Sequence, residues 1–225
     1  MPVASVALPL PPRRFALRRR VVAMGLLAVV AASALGGWAL RPSGPADLGD
    51  GKTLRHSGLQ AAWKAGNVAV LVRHGERCDR SDGACLGDAD GITLAGSRVA
   101  SEVGNSLQAL GMAQAQVFTS PLTRTRQTAM FMFGQAATPQ DWLINCRQTM
   151  LQDVVAHKQP GHNLVLVTHS ECINALEKQA GIHGGSGPGY ASALFVSVDP
   201  VTGTPHVLGA LNPNQWPRTL HRLKG

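Results

Sequence analysis

Residues 73–77 read Arg-His-Gly-Glu-Arg and directly follow the apolar run Val68-Ala69-Val70-Leu71-Val72. A buried strand ending on this group delivers it to the crevice that opens at strand ends in α/β sheets. Two guanidiniums flanking an imidazole suit a phosphate dianion, because the forks match its oxygens and the ring nitrogen is a nucleophile. Two further segments carry related chemistry. Ser120-Pro121-Leu122-Thr123-Arg124-Thr125-Arg126 follows Val117-Phe118-Thr119, and His169-Ser170-Glu171 follows the apolar stretch 163–168. Each lies just past a predicted strand, and in a parallel sheet such ends sit side by side.

The elements that must position these residues alternate along the chain. Val68–Val72 reads as a fully buried strand. Thr93 caps a helix whose Ala95, Val99, Val103, Leu107 and Leu110 recur at helical spacing, with Gly111 as its stop. Pro121 is expected in the first turn of the next helix. Leu151–His157 and Glu171–Gln179 read as helices, and Ala191–Val198 with His206–Leu211 as a hairpin across Asp199–Gly203. Strand–helix repetition implies an α/β fold: a three-layer α/β/α sandwich around a mostly parallel central sheet.

An N-terminal hydrophobic helix is expected to precede this body. Up to residue 41 there are six arginines and no acidic residue, while the remainder carries 15 Lys and Arg against 13 Asp and Glu. The charge of +8 therefore belongs mostly to the arm. Val21–Leu40 holds no charge, and twenty residues at ~1.5 Å each span ~30 Å of hydrocarbon. Arginines ahead of it predict a cytoplasmic N-terminus and an exported, periplasmic body. The competing reading is a cleaved signal peptide with Ala32-Ser33-Ala34 as its cleavage site. The division is thus residues 1–41 as arm and anchor or signal, 42–58 as linker and 59–225 as the catalytic domain. A nucleic-acid partner is disfavoured, since the body is nearly neutral and a single tyrosine and five phenylalanines give no stacking platform.

Four cysteines fit an oxidising compartment. Cys78 and Cys85 bracket a polar loop beside His74, which suggests a disulfide bracing that loop, and Cys146 and Cys172 could then pair. Three connectivities are open to four cysteines, and free thiols are a further alternative. No Cys-x-x-Cys or His-x-x-x-His cluster suggests zinc. His157, His162, His183, His206 and His221 fall in loops, helix ends or the tail and are expected to take no part in catalysis. Arg126, two residues from Arg124 on a helix, points elsewhere. Gly184, Gly185, Gly187 and Gly189 read as a flexible rim for the substrate.

The three segments, with Asp90-Gly91-Ile92-Thr93-Leu94-Ala95-Gly96 between them, resemble the histidine phosphatase superfamily, which includes phosphoglycerate mutases and acid phosphatases. The resemblance spans roughly residues 66–211. It implies that His74 attacks phosphorus to form a phosphohistidine, and that Arg73, Arg77 and Arg124 hold the phosphoryl oxygens. His169 would donate to another oxygen, as imidazolium or in a fixed tautomer. No cofactor and no metal is implied, since guanidiniums supply the positive charge.

The leaving oxygen also needs a proton. Where mutase-like relatives place a glutamate, this chain has none, which leaves Glu171 and Glu76 ahead of Asp141 and Asp153. Arg-His-Gly-Glu-Arg-Cys-Asp together with Thr168-His169-Ser170-Glu171-Cys172-Ile173 most resembles the lipopolysaccharide core heptose phosphate phosphatase branch. That implies a small phosphorylated substrate, such as an envelope sugar, and membrane contact only through an uncleaved N-terminal segment. Alternatives are a phosphatase or mutase for another phosphate ester, and a catalytically idle phosphate-binding protein.

Overall fold

The computed structural model describes Met24 and residues 44–224. The expected hydrophobic segment 21–40 and the basic arm lie outside the described residues, apart from Met24. Among the described residues no helix is long and apolar enough to cross a membrane.

The stretch expected as linker is part of the fold. Asp50 caps helix α1 (Gly51–His56) by accepting from the Thr53 amide. Leu48 is fully buried, and its amide pairs with the Ala210 carbonyl at 2.9 Å. Its glycines and prolines suggested a spacer, but the single leucines at 48 and 54 anchor it to the core.

Helix α2 (Leu59–Lys64) leads into β1 (Val68–Arg73). There follow α3 (Leu94–Leu110), β2 (Ala115–Thr119), α4 (Thr123–Phe133), the two-residue β3 (Thr138–Pro139) and α5 (Met150–His157). The chain ends with β4 (Asn163–Thr168), α6 (Ser170–Gln179), the hairpin β5 (Ala193–Val198) and β6 (Pro205–Leu211), and α7 (Trp216–Lys224). Thr93 caps α3 through the Gly96 amide, and Gly111 ends it at φ 99°. Pro121 does not enter α4. It lies in the turn ahead of Leu122, the residue that caps this helix without a side-chain bond.

The sheet order is β3-β2-β4-β1-β5-β6, parallel from β3 through β1 and antiparallel thereafter. Alternation along the strands makes the layers. Val68, Val70, Val72, Val165 and Val167 pack with α2, α3, α4 and α7, whereas Ala69, Leu71, Leu164 and Leu166 pack with α5 and α6. Disulfides join Cys78 to Cys85 and Cys146 to Cys172, the latter tying the segment before α5 to α6.

Helices α3 and α4 meet backbone to backbone at Gly104, where an added Cβ would lie 2.0 Å from the Met132 carbonyl oxygen. In an open helix Gly→Ala is stabilising by ~0.5–1 kcal/mol. Here overpacking dominates, and Gly104→Ala is expected to destabilise by ~1–3 kcal/mol, read as a lowered urea midpoint.

Candidate active site

Strand register brings the three segments together. Arg73 faces Thr168 across the β1–β4 pair and Thr119 faces Val167 across β2–β4, so His74, Ser120 and His169 leave the sheet as neighbours. The His74 amide donates to the Thr168 carbonyl at 2.9 Å and the Ser120 amide to that of Val167 at 3.0 Å. Pairing thus continues one residue past each strand, and the two imidazole centroids stand 5.4 Å apart.

His74 is 3% exposed, and its Nδ1 lies 2.8 Å from the Gly75 carbonyl oxygen. A carbonyl can only accept, so Nδ1 carries the proton and Nε2 keeps its lone pair. Burial holds this imidazole down to a pKa of about 3; the Gly75 carbonyl opposes, while His169, Arg124 and Arg73 reinforce it. At neutral pH His74 is therefore uncharged and nucleophilic.

The loop beyond it is clamped. The Gly75 amide donates to Thr128 Oγ1 at 2.9 Å, and that hydroxyl donates to the Arg124 carbonyl at 2.6 Å. A Cβ on Gly96 would meet the Glu76 amide nitrogen at 2.7 Å, so the loop rests directly on the first turn of α3. Glu76 accepts from Thr93 Oγ1 at 2.7 Å, which places its carboxylate on the helix cap.

Three cationic or polar groups converge on the same space. Arg73 donates to the Pro188 carbonyl at 2.7 Å and stands 3.9 Å from the Tyr190 ring centroid. Arg124, only 8% exposed, donates through a terminal nitrogen to the Asp90 carboxylate. His169 is fully buried, with Nε2 2.8 Å from Ser120 Oγ. The Nε atoms of both arginines and Nδ1 of His169 are buried without a hydrogen-bond partner. Leaving buried donors unpaired is costly, so their convergence suits a bound anion with several acceptor oxygens.

Burial, followed by the Arg124 charge, lowers the His169 pKa to about 4, so of the two forms expected for it the neutral ring is the resting one, with Nε2 beside Ser120. One placement differs from the sequence reading. Arg77, expected on the phosphate, is held in a two-point ion pair with Asp79 inside the loop closed by Cys78–Cys85. Glu171 is exposed at the start of α6, with its carboxylate 3.2 Å from Ser170 Oγ. Burial raises its pKa, but its own amide, His169, Ser170 and Arg124 outweigh that and keep it below the usual carboxylate range.

Arg126 is exposed and faces a separate groove with Met130 and Phe131. His157 stacks on Trp142 with centroids 4.5 Å apart. Four site residues had no role in the sequence reading: Ser120, Thr128, Asp90 and Tyr190. Tyr190 left one signal, being the chain's single tyrosine at the end of its glycine-rich stretch. Among the described residues no group of three His, Cys, Asp or Glu could hold a metal ion.

Residues 69–143 match the histidine phosphatase superfamily, branch 1. The chain is 33% identical over 168 residues to the lipopolysaccharide core heptose(II)-phosphate phosphatase of Escherichia coli (strain K12), covering 73% of this chain and 81% of that protein. Among solved structures, a phosphoserine phosphatase from Entamoeba histolytica in complex with phosphoserine superposes with TM-score 0.52 at 14% identity, over 66% of this chain and 98% of that one. The protein histidine phosphatase SixA complexed with tungstate gives 0.50 at 17% identity, over 65% and 97%. At such identities the two structures speak for the fold alone.

The two depressed imidazoles set a pH dependence. Their folded pKa values, about 3 and about 4, lie below the ordinary 6.5, so between these limits the unfolded chain binds more protons. Their contribution to stability is complete above pH ~6.5 and is lost as pH falls toward ~4, by at most ~1.4 kcal/mol per pH unit for each ring. Urea unfolding at pH 7, 6 and 5 is expected to show this decline, and a shallower one in His74→Gln.

Proposed function

This chain belongs to the histidine phosphatase superfamily and is a phosphatase; from that premise we propose that it hydrolyses phosphate monoesters without a metal, through a phosphohistidine on His74. The observation that carries the reading is the unprotonated Nε2 of a neutral, buried His74, set among Arg73, Arg124 and His169. Attack by Nε2 forms the N–P bond as the P–O bond to the alcohol breaks. Arg73, Arg124 and the Nδ1–H of His169 hold the three remaining oxygens, where charge concentrates in the transition state. A proton goes to the leaving oxygen, and water then attacks the phosphohistidine to release phosphate and restore the imidazole.

Glu171 is the carboxylate we assign to that proton. Glu76 is committed to Thr93, while Glu171 lies at the rim within electrostatic reach of Arg73 and His169. Glu171 enters the cycle carrying a proton drawn from solvent, gives it to the leaving alcohol, and, then ionised, takes one from the attacking water, so the acid is regenerated for the next turnover. Glu76 acts one step back, holding the nucleophile loop to the α3 cap. Arg77 contributes charge from its pair with Asp79.

The similarity to a lipopolysaccharide core heptose(II)-phosphate phosphatase supports a phosphorylated envelope sugar as substrate. A periplasmic location follows from that, with residues 1–41 as the exporting arm and 21–40 either spanning the inner membrane or removed as a signal. The two disulfides accord with an oxidising compartment.

Hydrolysis of para-nitrophenyl phosphate is expected to survive EDTA and to fall at least ~1,000-fold in His74→Ala, with Arg124→Ala losing ~100–1,000-fold. Rapid acid-avoiding quench should trap base-stable phosphate on residue 74. Glu171→Gln should lose ~100-fold or more on alkyl phosphates and little on para-nitrophenyl phosphate, whose leaving group needs no proton. Equal losses on both esters would move the acid elsewhere, and chelator-sensitive turnover would overturn metal independence.

A further inference from the structure

Asp90 engages one of the guanidiniums of the candidate site. Its carboxylate sits on a terminal nitrogen of Arg124, the guanidinium that the catalytic reading gives to the phosphoryl group. The backbone around it is fixed: the Gly91 amide donates to Asp88 at 2.8 Å, the Cys78 amide to Gly91 at 3.1 Å, and the Ile92 amide to Gln127 Oε1 at 2.8 Å. A Cβ on Gly91 would lie 2.6 Å from that same Oε1, so the turn is seated tightly on α4. The Asp90 side chain, by contrast, is 46% exposed, and Arg124 is its one side-chain partner among the described residues. It can swing into water by a change of rotamer while its Cα stays put.

The charged or titratable groups that feel this carboxylate are Arg124 from α4, Arg77 from the nucleophile loop and His169 from the β4–α6 junction. When the site is empty, Asp90 compensates a guanidinium that would otherwise be buried without a counter-charge. A phosphate dianion reaches more: the second charge, the orphaned Nε of Arg124 and of Arg73, and Nδ1 of His169. A single carboxylate with one contact therefore yields to it.

We propose that Asp90 is a built-in competitor for the phosphate seat, a specificity-determining residue that weakens inorganic phosphate binding and admits only ligands able to displace it. This rests on the phosphatase reading. The competition raises KM and relieves product inhibition, since the carboxylate is poised to retake Arg124 as phosphate departs.

The test is competitive inhibition of para-nitrophenyl phosphate hydrolysis by inorganic phosphate in wild type, Asp90→Asn, Asp90→Ala and Asp90→Glu, with thermal unfolding recorded for each. Removing the charge is expected to lower Ki about tenfold in both Asn and Ala variants, with KM falling in parallel, and to lower Tm as Arg124 loses its counter-charge, a loss that added phosphate reverses. Asp90→Glu, which restores a carboxylate on a longer stem, is expected to bring Ki back toward wild type. If Asp90 only props up Arg124 or its loop, the sign reverses, and an unchanged or raised Ki in a folded Asn variant overturns the proposal. That outcome, with the wild type active, leaves the phosphatase reading intact. Absence of turnover and of phosphate binding in the wild type would remove both together.

Discussion

The site depends on one constraint: β1 and β4 run parallel with Arg73 opposite Thr168. Because side chains alternate along a strand, a slip of one residue would turn each strand's apolar set to the wrong layer. Val70 and Val165 pack with one set of helices, Leu71 and Leu166 with the other. The two cores thus enforce the register, and the register sets His74 beside His169. Catalytic geometry is inherited from the hydrophobic pattern of two six-residue strands.

Burial then determines what these histidines are. Sunk among guanidiniums, both rings are neutral; the Gly75 carbonyl gives His74 its tautomer, and the Ser120 hydroxyl orients the His169 ring through Nε2. Positive charge and an unprotonated nucleophile can coexist in a small space because arginine does not release its proton while imidazole does. The division of labour is chemical, and no moving part is needed to create it.

Much of this is legible in the sequence, and the reasons differ by residue. Strands β1 and β4 show as unbroken apolar runs, and the residues just beyond such a run in an α/β chain stand at the crevice, so positions 73, 74, 124 and 169 can be placed together. The cap at Thr93 and the stop at Gly111 are local signals that the fold respects. Partners across the chain leave no such trace. Nothing near Arg77 in sequence says whether it meets an anion or Asp79, and the pairing of Asp90 with Arg124 spans 34 residues. The segment 44–58 reads as a spacer for a related reason. Its glycines and prolines are local, whereas the groove that receives Leu48 is built by β6 and α7, late in the chain.

The Cys146–Cys172 link has a practical corollary. It fastens the turn before α5 to the helix that begins directly behind His169, at a point with no exposure to water. Once folded, this thiol pair is sealed from reductants and oxidants alike, so the bond must be made while the chain is still assembling. Recombinant material prepared in a reducing cytoplasm would keep a sulfhydryl pair there that later exposure to air does not readily close. Preparations from the two routes would then differ in the rigidity of that helix while sharing one sequence.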